Sequence, residues 1–281
     1  NYFPSKKVIL PIDKNTIIKN KVVSPKFYDS IVPQIEFTIK DRALYKNRLM
    51  MLDIVNENNW KRPIYFTGGS NGEDDYIWMK DYLQLDGMCF KLVPIRTPVE
   101  NPNPMEMGCI DSDKMYDIVM KWDWGNGERT DIYHDTETRR NSITYRTNLS
   151  RLMQQLIVEG KTDKAKKVID LAINKMPIDL YGYYTMVEPF TGGYYDIGEV
   201  EKARALLQKL ASKYQDNLNY YSGIVPSEQN DRIVDIVTNL ERYRSLLFVM
   251  KEKEDIEFYE KNKKIFNGYN KRFERFNRKD E

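Results

Sequence analysis

The sequence predicts a mostly α-helical α+β protein, in which a small α/β region precedes a series of helical hairpins. The helical part is predicted by apolar residues at helical spacing over residues 148–214, a pattern that recurs after 38 residues with Gly160 and Gly198 at the bends. The α/β part is predicted by short strand-like and helical runs that alternate in the first half of the chain. We therefore expect two domains, residues 1–125 and 126–281.

Small residues mark the second helix of each predicted hairpin, and they also obey the 38-residue offset, as Ala165 and Ala203 illustrate. Such residues let the two helices of a hairpin pack closely, as in stacked helical repeats. The pattern is that of a tetratricopeptide-like pair, although that family has a period of about 34 residues. Pro189, followed by Gly192 and Gly193, predicts a kink or a break in the first helix of the second copy. An ordinary helical bundle with coincidental spacing is the alternative.

The remaining elements follow from local patterns of apolar residues and turn residues. In chain order these are strands at 7–10 and 35–39, a helix from 41 to about 56, a strand at 62–67, helix 74–85, strand 88–95 and a helix after 111–113. Because helices and strands alternate between residues 41 and 95, we expect parallel strands in this region. Long helices at 231–251 and 255–277 would close the exposed end of the repeats.

The composition is that of a soluble globular chain with a sizeable core, since 41% of its 281 residues are hydrophobic. Lys and Arg number 44 against 42 Asp and Glu, so no global positive field attracts nucleic acid. Neither cysteine has the spacing of a disulfide framework or a metal site. No apolar run reaches the ~18 residues of a membrane span. The start at Asn1 without Met suggests a piece of a longer protein.

Six stretches carry a resemblance to a known family: Leu49–Ile54, Asn58–Phe66, Tyr82–Gly87, Leu92–Ile95, Trp122–Gly125 and Asp131–Asp135. They resemble the C-terminal region of large Bacteroidota membrane proteins of formerly unknown function, which are similar to protein O-mannosyltransferases of the GT-C class. In that family the catalytic carboxylate and the lipid-linked sugar site lie on the membrane-embedded N-terminal part, so no catalytic residue is carried over to this chain. The resemblance implies a location on the periplasmic side of an inner membrane.

A glycine-rich loop from Gly68 to Asp75 follows a predicted strand and precedes a predicted helix, where α/β units bind ligands. Its candidate ligand contacts are Gly69, Ser70, Asp74 and Asp75. The loop lacks the spacing of a phosphate-binding loop, and its carboxylates would repel phosphate. A capped turn is favoured, and a weak divalent cation site is the functional alternative.

His134 is the only histidine of the chain and lies between Tyr133 and Asp135. A base next to an acid could transfer a proton. Because no nucleophile motif lies nearby, a surface or hydrogen-bonding role is favoured.

Tyrosines crowd the helical region, and two of them, Tyr183 and Tyr184, fall off the apolar stripe. We expect these two to contact a peptide or protein partner, since aromatic side chains with a polar tip suit binding surfaces. Tyr194 and Tyr195 fall on the stripe and should pack inside.

These observations predict a non-catalytic helical-repeat module on the outer side of the membrane, part of a glycosyltransferase-like membrane protein. It would hold a protein substrate or partner beside its own membrane-embedded N-terminal region, without a cofactor, a metal ion or nucleic acid. The main rival is an independent soluble enzyme with a site formed by the Gly68–Asp75 loop and His134. A purely structural repeat without a ligand is the third possibility.

Overall fold

The computed structural model describes residues 6–39, 44–67, 77–99 and 106–276, and the chain divides into two compact units, Asn1–Asp123 and Trp124–Glu281. Helices predominate and a few short strands form small sheets, which confirms the predicted mostly helical α+β class. The predicted domains stay a prediction, because a division into compact units does not show that each part folds alone.

The first unit contains five strands and three helices among the described residues, together with 3₁₀ turns at Pro25–Ser30 and Ile77–Tyr82. The strands are β1 (Lys7–Pro11), β2 (Gln34–Thr38), β3 (Tyr65–Thr67), β4 (Leu83–Asp86) and β5 (Cys89–Leu92). The helices are α1 (Lys14–Lys19), α2 (Lys46–Asn58) and α3 (Ser112–Val119). Strands β1 and β2 pair with each other, and a second sheet has the order β3-β5-β4.

All of these strand pairs are antiparallel, so the expected parallel strands are wrong. The helix predicted at 74–85 is also wrong over its last residues, which form β4. Every residue of β4 is buried, and Gly87, with φ +69°, turns the chain directly into β5. A short run of buried residues before a tight turn has no clear helical or strand period, which explains the error. Residues 68–76 lie outside the described residues.

Two apolar clusters hold the first unit together. One packs residues of β2 against the second sheet and the 3₁₀ turn before it, with Ile35, Met79 and Leu92 at its centre. The other joins α1 to the residues after β5 and includes Ile17 and Val93. Helix α2 contributes only Val55 as a buried residue, and its apolar residues Leu49, Met50 and Ile54 are exposed.

The regular elements of the second unit are all helices among its described residues. Its helices are α4 (Thr136–Val158), α5 (Thr162–Lys175), α6 (Ile178–Tyr181), α7 (Glu188–Asp196), α8 (Val200–Gly223), α9 (Pro226–Asp231), α10 (Ile233–Glu252) and α11 (Ile256–Arg272). The helix pairs α4–α5, α7–α8 and α10–α11 each pack as a hairpin, and we call them the first, second and third hairpins.

The same turn joins the two helices of each hairpin. Gly160, Gly198 and Glu254 take the left-handed conformation at the three bends, with φ of +71°, +80° and +57°. In each case the next residue donates its backbone N–H to a carbonyl five residues earlier, as Lys161 does to Leu156. The left-handed residue itself donates to a carbonyl three residues earlier, as Gly160 does to Ile157. These two hydrogen bonds together define the Schellman motif. The turn therefore recurs a third time at a residue that is not glycine, Glu254, while the tetratricopeptide identity of the hairpins stays a prediction.

Close packing explains the small residues of the first two hairpins. Ala165 and Ala203 are fully buried, as the predicted helix crossings require. A Cβ at Gly193 would collide with the sulfur of Met153, so the glycine lets α7 lie directly on α4. No kink or break occurs within α7, because Pro189 lies in the first helical turn, where its missing N–H is not needed. The helix is interrupted before this proline, where the 3₁₀ turn Tyr184–Met186 ends and α7 begins. Among the described residues, no helix combines the length and the apolarity needed to cross a membrane.

Candidate functional site

A groove of about 440 Å³ runs across the first helices of the three hairpins. We call it the first-helix groove. Three segments supply its lining residues: α4 (Met153, Gln154, Ile157, Val158), α7 with the 3₁₀ turn before it (Thr185, Glu188, Pro189, Gly192, Gly193, Asp196), and α10 with the turn after it (Ser245, Val249, Glu252, Lys253). The three helices thus present one surface, because each hairpin turns in the same way.

The groove has an apolar floor that is open to solvent at one end. Val158 is 82% exposed at the end of α4, although it is a large apolar residue. On α7 the lining includes two glycines, Gly192 and Gly193, which add no side chain above the helix backbone. An exposed apolar surface bordered by polar residues is typical of a site of macromolecular contact.

Carboxylates dominate the charged groups of the groove. Glu188, Asp196 and Glu252 face one cation, Lys253, which forms an ion pair with Asp196 at 2.6 Å. Burial raises the pKa of Glu188, whose Oε1 accepts a hydrogen bond of 2.8 Å from Tyr214. The apolar floor with an acidic rim fits a partner segment that carries apolar and basic side chains.

The two tyrosines predicted to contact a partner lie beside this groove. Tyr183 precedes the 3₁₀ turn Tyr184–Met186 with φ +46° and is 39% exposed. Tyr184 is half-buried and makes an edge-to-face contact with Tyr214, with ring centroids 6.3 Å apart. The next residue, Thr185, lines the groove itself. Contact of either tyrosine with a partner stays a prediction.

A residue that the sequence reasoning missed positions this segment. The guanidinium of Arg146 is buried and donates hydrogen bonds to the carbonyl oxygens of Met176 (2.8 Å) and Gly182 (2.6 Å). Burial lowers the pKa of Arg146 to about 10. These carbonyls follow α5 and α6, where a cation also complements the helix dipole. The signal in the sequence is that Arg146 is in phase with the apolar stripe of α4.

Tyr194 and Tyr195 pack inside the second unit, as expected. Tyr194 is buried and donates a 2.7 Å hydrogen bond to Asp170 of the first hairpin. Tyr195 is half-buried and donates a 2.7 Å hydrogen bond to Asp255, at the start of the last long helix. Adjacent tyrosines of α7 therefore bind to the hairpins on either side.

His134 has a defined structural environment. Its Nε2 lies 2.7 Å from the carbonyl oxygen of Gly127, and its ring packs edge-to-face on Tyr181 at a centroid distance of 4.9 Å. A carbonyl oxygen only accepts, so Nε2 carries the proton and is engaged as a donor. The loop residues that the enzyme hypothesis combines with His134, namely Gly69, Ser70, Asp74 and Asp75, lie outside the described residues.

Groups that could bind a metal ion or act as a thiol nucleophile were sought in the described ranges. They contain no group of three or more His, Cys, Asp or Glu side chains that could hold a metal ion. Both cysteines are free, and burial raises the pKa of the Cys109 thiol to about 11. A thiol with so high a pKa is a poor nucleophile.

Comparison with known proteins gives one match. Residues 1–114 match the family model described as TMEM260-associated domain 2, a match that falls entirely within the first unit. No curated protein and no solved structure matches the chain. The matched segment includes Asn58–Phe66 and Tyr82–Gly87, two of the stretches that carry the sequence resemblance.

Proposed function

We propose that this chain is a non-catalytic, extracytoplasmic accessory region of a glycosyltransferase-like membrane protein, and that its second unit holds a protein substrate or partner. The observation that carries the first part is the match of residues 1–114 to a domain associated with TMEM260, a glycosyltransferase-like membrane protein. The sequence resemblance to proteins similar to protein O-mannosyltransferases supports the same setting. The chain would then lie on the periplasmic side of the inner membrane, next to its own membrane-embedded N-terminal region.

The first-helix groove supports the holding role. Grooves between helices bind peptide segments through apolar anchors, and charges at the rim set specificity. Here Ile157, Val158 and Val249 supply apolar contacts, while Glu188 and Glu252 supply negative charge. The expected partner is therefore a protein segment with apolar and basic residues.

Tyr183 and Tyr184 extend this surface beyond the groove. Tyrosine contributes a large rigid contact area and one polar tip, which makes it frequent among residues that dominate binding energy. The hydrogen bonds from Arg146 hold the carbonyls of Gly182 and Met176, and so fix the backbone that presents Tyr183. The side chain of Tyr183 is thus positioned before a partner arrives, which lowers the entropic cost of binding.

Site-specific photo-crosslinking in cells tests the proposal. The photoreactive amino acid p-benzoylphenylalanine replaces Val158 or Val249 in the groove, and Phe248 serves as the matched control. Phe248 is 66% exposed on the same helix as Val249 but does not line the groove. The full-length protein is used, in its native membrane.

We expect a discrete crosslinked protein from positions 158 and 249, and none from position 248. That protein should be extracytoplasmic and should carry a segment rich in apolar and basic residues. Equal crosslinking from all three positions, or a cytoplasmic crosslinked protein, would refute the holding role or the location, respectively.

A further inference from the structure

The first unit contains a separate cavity of about 270 Å³ whose lining is strongly cationic. Five positively charged residues contribute to it, namely Lys21, Lys61, Arg62, Lys91 and Lys114. The described lining includes no Asp or Glu. Among the described residues, Lys21, Lys61 and Arg62 are exposed and form no ion pair. The cavity therefore favours a negatively charged ligand.

Turns with unusual backbone geometry build the walls of this cavity. Lys21, Asn59 and Trp60 all take positive φ, of +51°, +42° and +57°, although none is glycine. Two amide side chains hold these turns. Asn58 donates to the carbonyl oxygen of Arg62 and accepts from the Arg62 backbone N–H, and Asn20 donates to the carbonyl oxygen of Trp60. Such conformations persist only where surrounding contacts enforce them, and they are frequent at ligand sites.

A buried charge cluster lies at the inner end. Lys91 is only 5% exposed and donates to the carbonyl oxygen of Val22, while Lys114 forms an ion pair of 2.7 Å with Asp86. Asp86 also accepts a 3.0 Å hydrogen bond from Tyr65, whose side chain lines the cavity. Lys114 thus has a carboxylate as its partner, whereas the ammonium group of Lys91 bonds to a carbonyl oxygen and forms no ion pair of its own among the described residues, in a poorly solvated place.

We propose that this cavity binds a small organic oxyanion, a phosphate or carboxylate group carried on a ring, with the oxyanion at Lys91 and Lys114 and the ring against Trp60 or Tyr65. An anion would balance the excess charge and accept charge-assisted hydrogen bonds from both ammonium groups. The volume lies at the small end of the range for ligand pockets, which excludes a large cofactor and fits a single ring. Aromatic side chains at the wall can pack on such a ring.

The charge state of Lys91 suits this role. Burial, followed by the neighbouring ammonium group of Lys114, lowers the pKa of Lys91 to about 8. The other charged groups that face it are Asp86 and Asp111, which act in the opposite direction, and Tyr65 faces the Asp86–Lys114 pair. Lys91 is therefore mostly protonated near neutral pH, and binding of an anion should weaken as the pH rises above about 8.

Isothermal titration calorimetry on the 281-residue chain tests this inference, with glucose 1-phosphate, glucuronate, inorganic phosphate and uncharged glucose as probes at constant ionic strength. The variant is Lys91→Met, which removes the buried charge and keeps the shape of the side chain. The matched control is Lys46→Met, because Lys46 is an exposed lysine of the same unit that does not line the cavity. Circular dichroism of each variant reports whether it folds.

We expect glucose 1-phosphate or glucuronate to bind, and glucose not to bind. Lys91→Met should weaken the binding about tenfold or more through loss of a charge-assisted hydrogen bond, and Lys46→Met should leave it unchanged.

Tighter binding of the sugar anions than of inorganic phosphate would show that the ring contributes; equal binding would show that the site takes the bare oxyanion. If Lys91→Met does not fold, the pH dependence of binding by the wild-type chain decides, since constant affinity from pH 7 to 9.5 contradicts the proposal. Absence of binding, or equal losses in both variants, would overturn it.

Discussion

Arg204 and Asp255 form a bidentate ion pair that joins the second hairpin to the third. Nε and Nη2 of Arg204 lie 2.7 and 2.8 Å from the two carboxylate oxygens of Asp255, which is almost completely buried. Tyr195 donates to the same carboxylate, while its neighbour Tyr194 donates to Asp170 of the first hairpin. Polar contacts therefore fix the second hairpin on both sides, and with it the first-helix groove.

Asp255→Asn should destabilise the chain by about 2–3 kcal/mol at pH 7, because it leaves the partly buried Arg204 without its carboxylate. The hydrogen bonds from Arg204 hold the pKa of Asp255 below its usual range. The unfolded state then binds more protons in acid, so this stabilisation is present above pH ~4 and is lost as the pH falls through the folded pKa. Urea denaturation at several pH values measures both effects. The control is Glu241→Gln, whose exposed pair with Arg244 should contribute less than ~1 kcal/mol.

Substitutions at the left-handed residue of the hairpin turns should change stability in opposite directions, depending on whether a glycine is removed or introduced. Gly160→Ala and Gly198→Ala should each cost about 1 kcal/mol, since both glycines have positive φ and open space around an added Cβ, so only backbone strain changes. Glu254→Gly should stabilise by up to about 1 kcal/mol, because it relieves the same strain in the third turn. Thermal unfolding of the three variants checks the signs. A loss of stability in Glu254→Gly would mean that the contacts of the Glu254 side chain stabilise the fold by more than its left-handed backbone destabilises it.

Two adjacent glycines of α7 should respond differently to alanine. Gly193→Ala should destabilise by about 1–3 kcal/mol, because its Cβ would collide with Met153 and press on Ile169. At Gly192 the nearest atom is the Lys253 Cε at 3.8 Å, so Gly192→Ala should stabilise the helix by roughly 0.5–1 kcal/mol. Equilibrium unfolding of the pair is the measurement. Equal effects at both positions would contradict the close packing of α7 on α4.

The buried Lys91 predicts an unusual dependence of stability on pH. Its folded pKa is depressed to about 8, so the unfolded state binds more protons above that pH and stability rises toward pH ~10.5. Relative to Lys91→Met, the wild-type chain should gain about 2 kcal/mol between pH 7 and 9.5. Subtracting the unfolding free energy of Lys91→Met from that of the wild type at each pH removes the contribution of groups that titrate alike in both chains. A difference that is constant with pH would show that Lys91 has an ordinary pKa.

Local signals were sufficient to predict the helical unit. The turns at Gly160 and Gly198 and the buried Ala165 and Ala203 follow from residues that need a left-handed backbone or close packing. The third turn was not predicted, because Glu254 adopts that backbone without being glycine. Pro189 was expected to kink or break a helix, whereas it lies where α7 begins, since a proline in the first turn of a helix has the same local sequence signal as one in its middle.

The first unit depended more on contacts between distant residues. The antiparallel pairing of β3 with β5 joins residues more than 20 positions apart, such as Tyr65 and Lys91, and no local period encodes it. The cationic cavity was missed for the same reason, since Lys21, Arg62, Lys91 and Lys114 meet only in the fold. In the second unit, Arg146 was missed because the apolar stripe was traced through apolar residues alone, and the carbonyl oxygens that it binds come from a later part of the chain.

The holding role is tested most directly by a binding measurement. The protein that crosslinks to position 158 is titrated against the wild-type chain and against the variants Val158→Lys and Phe248→Lys. Both residues are highly exposed, at 82% and 66%, so neither change should alter stability by more than ~0.5 kcal/mol. We expect Val158→Lys to weaken binding about tenfold or more, because it removes an apolar contact and repels a basic partner. Phe248→Lys should bind like the wild type. Unchanged affinity in Val158→Lys, or an equal loss in Phe248→Lys, would contradict the proposal that the first-helix groove holds a protein partner.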